Sequence, residues 1–252
     1  MSILPHRTQP PRLKIDRIHQ PEAASGRYGY RAYRSCLRWE FGFTCSFCLL
    51  HEADWGIDGT ESLGLMTIEH LVPVSVRSEY VNEYRNCFYA CRLCNVARSN
   101  KPSVSFDGSQ LLDPCRHGWA DHFYTTDDGR LLPREGDLNA LYTSSTYDLN
   151  DERKVNLRQI RAERILELLE AIQSGQEMGQ KLQVLCFLEE SDRSLILLEA
   201  ALLLHTNVLA ALDDLRRYAA VPNDTDPVCR CGRDDHHALP LWLAEQTSPL
   251  PG

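Results

Sequence analysis

Two Cys-x-x-Cys pairs, Cys45 with Cys48 and Cys91 with Cys94, constrain this chain more than any other feature. Two such knuckles can close one tetrahedral tetrathiolate site, the usual arrangement for structural zinc. The pairs stand further apart than in a short zinc ribbon, so the segment between them must itself be folded. A thioredoxin-like redox pair is the competing reading of a Cys-x-x-Cys. The N-terminal stretch MSILPHRTQPPRLK has basic residues and prolines but no apolar core of a secretory signal, so a cytoplasmic protein is expected. In a reducing compartment, paired cysteines more often bind metal than form disulfides. Six of the ten cysteines lie between Cys36 and Cys94; Cys36 and Cys87 have no Cys-x-x-Cys partner and read as buried thiols that could replace a ligand.

The bracketed segment predicts an order of elements. A short helix is expected around residues 33–40, leading into FTCSFC, and residues 52–63, rich in Asp, Gly and Glu, read as a loop. GLMTIEHLVPVS reads as a strand with a turn after it, NCFYA as a second strand, and CRLCNVARSNK as the start of a helix. The first strand carries Glu69 and His70 side by side. Strand neighbours point to opposite faces, so both can serve one site only if the strand bends or ends there, which Pro73 allows.

That pair fits phosphodiester hydrolysis. Such a reaction needs a base near neutrality to activate water, and a cation at the scissile phosphate to stabilise the added negative charge and the departing oxygen. Hard Mg²⁺ or Mn²⁺ prefers oxygen donors, for which a Glu carboxylate and an Asn amide oxygen are suited and thiolates are not.

FTCSFC, TIEHLVPVS and NCFYACRLCNVARSNK together resemble an HNH endonuclease of the zinc-bearing ββα-metal type, over roughly residues 43–101. The resemblance implies an α+β fold, with a zinc-stabilised ββα-metal core followed by an α-helical C-terminal region. It gives His70 the role of general base, Asn86 that of a structural tie for the loop between strand and helix, and Asn95 the third motif position. Cys45, Cys48, Cys91 and Cys94 would hold zinc, and Glu69 and Asn95 the catalytic Mg²⁺ or Mn²⁺. Glu69 stands where Asp is commoner in the family. The expected activity is hydrolysis of DNA, or RNA, to 5′-phosphate and 3′-hydroxyl ends, by analogy in phage defence, restriction or a mobile element.

Charge is unevenly spread. Residues 1–101 hold 13 Lys+Arg against 10 Asp+Glu, whereas residues 102–252 hold 14 against 25. RYGYRAYRSCLRW mixes arginines with aromatic residues and suits phosphate and base contacts, and Arg92, Arg98 and Lys101 on or after the motif helix are further phosphate candidates. The expected organisation is an N-terminal arm (1–35), the core (36–105), a β-rich extension (106–150) with a DDG hairpin turn, a helical region (151–220) and a flexible tail (221–252). The helical region reads as a helix over 151–173, a break at SGQEMGQ, and two further helices. The last of these is apolar nearly all round and is expected in a bundle, a dimer interface or against a partner protein. No run is long and apolar enough for a membrane span. His117 and His122 read as packing residues, and Cys229, Cys231, His236 and His237 as a possible second zinc set in a mobile tail. Two other classes of function stay open: a zinc-stabilised nucleic-acid-binding module that does not cut, and an adaptor whose acidic helical half docks a partner.

Overall fold

A computed structural model describes residues 14–55, 65–188, 193–218 and 231. It is a mixed α and β structure with small two-stranded sheets and a cluster of four cysteines. Residues 14–25 are extended and lie against the core, where Ile15 N–H donates to the Pro114 carbonyl (3.0 Å). A 3₁₀ turn at Gly29–Tyr33 runs into helix α1 (Arg34–Glu40). Strand β1 (Met66–His70) pairs antiparallel with β2 (Cys87–Cys91), with Met66 opposite Cys91 and His70 opposite Cys87. Helix α2 (Arg92–Arg98) leaves β2 without a loop, and Cys91 is its N-cap.

The core cluster gathers Leu37, Phe41, Phe47, Leu50, Met66, Phe88, Tyr89, Trp119 and Tyr147 around these elements. Phe47 stacks on Tyr147 (3.9 Å between ring centroids), and the Trp119 indole N–H donates to the Phe47 carbonyl (3.0 Å). The residues after α2 are thereby sealed onto the first knuckle.

Residues 106–150, expected to be β-rich, hold one short hairpin and more helix than strand. The hairpin is β3 (Phe123–Thr125) against β4 (Leu131–Pro133), flanked by α3 (Trp119–His122) and α4 (Leu138–Tyr147). Gly129 sits in its turn at φ +78°, a conformation open to glycine at little cost. Asp137 caps α4 by accepting from Ala140 N–H (2.8 Å), a local signal that the strand pattern hides.

The break expected at SGQEMGQ does not occur. Helix α5 runs without interruption from Glu152 to Leu188, and α6 spans Arg193–Tyr218. Gly175 is tolerated in mid-helix because α6 packs there: a Cβ on it would lie 2.2 Å from a Val208 methyl. Ile165, Leu168 and Ile172 form the seam with Val208, Ala211 and Leu212, and Arg164 pairs with Asp214 (3.2 Å). The other side of α6 leaves Leu202 (66%) and Leu203 (65%) exposed, so within one chain that helix is only partly covered. No helix among the described residues is long and apolar enough to cross a membrane.

Candidate functional site

The first knuckle is a tight turn. Cys45 N–H donates to the Leu50 carbonyl (2.8 Å), a bridge joins Thr44 to His51, and Leu49 takes a positive φ of 63°. Ser46 N–H donates to the Tyr89 carbonyl (2.8 Å), hanging the knuckle on β2. The second knuckle is the junction of β2 and α2, where Cys94 N–H points at Cys91 Sγ (3.4 Å). All four thiols are buried, their sulfurs lie within 4.8 Å of one another, and Cys48 and Cys91 are 3.5 Å apart. A tetrahedral zinc with bonds near 2.3 Å needs sulfurs about 3.8 Å apart, so the group could hold a structural metal such as zinc.

The groups around the cluster favour thiolates, the form in which cysteine ligates a metal. Burial alone would raise the Cys45 thiol, but hydrogen bonds from Cys48, Cys91 and Cys94 outweigh it and hold Cys45 well below the usual thiol range. Cys91 is pushed up by its bond to Cys45, and Cys94 by burial. One thiolate therefore forms readily, and four require a metal. Two buried cations from α5 stand beside the cluster. Lys154 Nζ donates to the carbonyls of Tyr147 (2.6 Å) and Asp148 (2.9 Å). Burial would lower the Lys154 pKa, yet the cysteine cluster, Cys94 foremost, raises it. Arg158 donates to the carbonyls of Gly129 (2.7 Å), Leu149 (3.0 Å) and, inside the first knuckle, Cys48 (3.1 Å). Arg161, one turn on, pairs with buried Asp54 (2.8 Å). Reading the helix by its apolar spacing missed these three; Lys154, Arg158 and Arg161 recur at i, i+4 and i+7, the spacing of one helix face.

Strand β1 ends at His70, with the acid and the base on opposite sides. Glu69 faces α2 and is buried (6% exposed). Burial pushes its carboxyl up to about 8, with Arg98 pulling it down and Cys45 pushing it up. Asn95 reaches the same side of the strand, its amide donating to Thr67 Oγ1 (2.8 Å), which leaves its carbonyl oxygen as an acceptor. Two oxygen donors thus share one side of β1.

His70 lies towards the loop between the strands. Its Nε2 is 2.9 Å from the Val81 carbonyl, and the Tyr30 ring stands edge-on to it (4.8 Å between centroids). A carbonyl only accepts, so Nε2 carries the proton and Nδ1 keeps its lone pair. Burial holds the imidazole below its usual pKa, against the opposing pull of the Val81 carbonyl. Asn86 fixes that loop: its Oδ1 accepts from Val72 N–H (2.8 Å), and its Nδ2 donates to the carbonyls of Val72 (3.0 Å) and Tyr80 (3.3 Å). It ties the loop between the two strands, whereas the sequence reading placed it between strand and helix.

The three basic residues expected to meet phosphates separate. Arg92 is exposed. Lys101 spends its ammonium on the Thr146 carbonyl (3.1 Å), at the end of α4. Arg98 is a correction: it is 0% exposed, with Nε 3.8 Å from Glu69 Oε1 and Nη2 donating to the Leu71 carbonyl (3.1 Å). The helix turns it inward, because strand β1 offers it a buried carboxylate. In RYGYRAYRSCLRW, Arg27 and Arg31 are exposed beside Tyr28, while Arg38 is buried on Glu52 (2.7 Å). Asn82 holds this segment to the inter-strand loop, accepting from Tyr30 N–H (2.9 Å) and donating to the Gly26 carbonyl (2.8 Å). Tyr30, Val81 and Asn82 carried no motif signal, since only the fold brings Val81 and Tyr30 to His70 and Asn82 to the backbone of Gly26 and Tyr30.

His117 and His122 pack edge to face, and His122 Nδ1 lies 2.6 Å from Asp137 Oδ2. Of the tail residues singled out in the sequence, Cys229, His236 and His237 lie outside the described residues; Cys231 lies against His19. No protein-family model, curated protein or solved structure matches this chain.

Proposed function

We propose that this protein is a metal-dependent HNH-type endonuclease with a structural zinc on Cys45, Cys48, Cys91 and Cys94. The observation that carries the reading is the state of His70: its Nε2 proton is committed to the Val81 carbonyl, and its neutral Nδ1 can accept a proton. His70 takes that proton from the water that attacks phosphorus. The P–O3′ bond then breaks and the departing O3′ takes a proton from water, leaving a 5′-phosphate and a 3′-hydroxyl. Glu69 and Asn95 are the residues that would hold Mg²⁺ or Mn²⁺. When bound, the ion supplies charge stabilisation for the phosphorane-like transition state and the leaving oxygen. Arg27, Arg31 and Arg92 would meet the backbone of DNA, the preferred substrate over RNA.

The Arg98–Glu69 pair supports a second reading. A guanidinium already next to the carboxylate competes with a divalent ion, and a zinc-stabilised nucleic-acid-binding module that does not cut would keep such a pair. Plasmid cleavage separates the two. Nicking or linearisation that requires Mg²⁺ or Mn²⁺, stops with EDTA and is lost in His70→Ala at unchanged zinc content supports the nuclease. Retained DNA binding with no cleavage under any divalent ion supports the binding module.

A further inference from the structure

We propose a second metal site, distinct from the four-cysteine cluster, in which His19, Cys36 and Cys231 bind zinc and clasp the two ends of the chain to the core. The three residues come from the extended N-terminal segment, from α1 and from the C-terminal end of the described chain. Their ligand atoms all lie within 4.8 Å of one another, and His19 Nδ1 is 3.1 Å from Cys231 Sγ. His19 and Cys36 are buried, and Cys231 is partly so.

The arrangement is built from below. Glu40, one turn along α1 from Cys36, accepts the His19 backbone N–H (3.2 Å) and pairs with Arg17 (3.0 Å). Arg17 in turn lies over the rings of Phe41, Tyr84 and Phe88 (4.6–5.1 Å) and donates to the Cys87 carbonyl (2.7 Å). Glu40 on this short helix thus sets the arm and its histidine against a thiol of the same helix. No local pattern brings Cys231 there; it reaches His19 from the far end of the sequence, across more than two hundred residues.

The donor set selects the metal. One imidazole nitrogen and two thiolates are a borderline-soft combination suited to zinc, and three protein ligands leave the fourth tetrahedral position to a water or another donor. A metal here would close a loop spanning nearly the whole chain, and such closure takes most from the entropy of the unfolded state. It would also hold in place the segment that leads to Tyr30 and the exposed Arg27 and Arg31. The site needs nothing from the nuclease reading and stands if that reading fails.

The test is a metal count on the full chain. Purified protein is loaded with Zn²⁺, freed of loosely held metal by gel filtration, and measured by inductively coupled plasma and native mass spectrometry. Two zinc ions per chain are expected in the wild type and one in both Cys231→Ser and His19→Ala, neither of which alters a four-cysteine ligand. Co²⁺ loading gives a second readout: the variants should keep the tetrathiolate charge-transfer bands and lose the weaker contribution of a two-sulfur site. One zinc in the wild type, or two in both variants, overturns the proposal.

Discussion

Replacing Asn86 with alanine should destabilise the protein by about 2–4 kcal/mol, a figure that follows from three hydrogen bonds. The buried amide accepts from Val72 N–H and donates to the Val72 and Tyr80 carbonyls. A buried hydrogen bond contributes about 0.5–1.5 kcal/mol net, and losing one partner leaves the other desolvated at a cost of about 1–3 kcal/mol. The longest of the three, to Tyr80, contributes least. For a chain of this size the loss corresponds to about 4–16 °C in Tm, small enough for the folded state to persist. Asn86→Asp should be at least as harmful, because it keeps the acceptor for Val72 N–H but turns a charged oxygen on two carbonyls. Urea melts followed by circular dichroism, with zinc content checked, measure both variants. The inter-strand loop also carries Val81, so the proposed cleavage activity should fall with the stability. An Asn86→Ala protein within about 0.5 kcal/mol of wild type would refute the reasoning, since the loop would then be held by something other than this amide.

Lys154→Met should cost about 2–4 kcal/mol in the same melts, as it strands the Tyr147 and Asp148 carbonyls, and it should also weaken metal retention by removing a cation beside four thiols, as read by zinc competition with a chromophoric chelator. Cys48→Ser, or stripping with a strong chelator, should abolish the cooperative transition of the core, because a structural zinc contributes about 10–16 kcal/mol, as much as the whole stability of an ordinary domain; an unchanged melt would mean that the cluster does not depend on metal. Because burial lowers the His70 pKa, the base stays neutral below its usual 6.5; at saturating Mg²⁺ or Mn²⁺, which keeps the Glu69 carboxyl deprotonated despite its raised pKa, cleavage should hold level from neutral pH to below 6.5 before falling as Nδ1 protonates. A profile already falling as pH drops from 8 to 7 would exclude a depressed His70 as the base.

Much of the core was legible because its signals are local. Cys-x-x-Cys spacing, alternating strands ending in Glu69-His70 and a helix beginning at the second knuckle each involve residues a few positions apart, where the periods of strand and helix leave a pattern. The seven residues SGQEMGQ misled for a physical reason: glycine lowers helix propensity, but Gly175 lies where α6 packs close, and the seam outweighs a cost of about 1 kcal/mol per glycine. Arg98 misled likewise, since the sequence cannot say which side of a two-turn helix meets a buried carboxylate.

By itself the sequence determined that four thiols would be brought together and that a strand would carry an acid and a base side by side near its end. Only the tertiary structure decided that Lys154 and Arg158 face the thiols, that the Val81 carbonyl sets the tautomer of His70, and that Cys231 lies against His19. Those contacts join residues between 11 and 212 positions apart, beyond the reach of a local pattern. They depend on how packed elements meet, which backbone periodicity does not encode and burial of the shared core does.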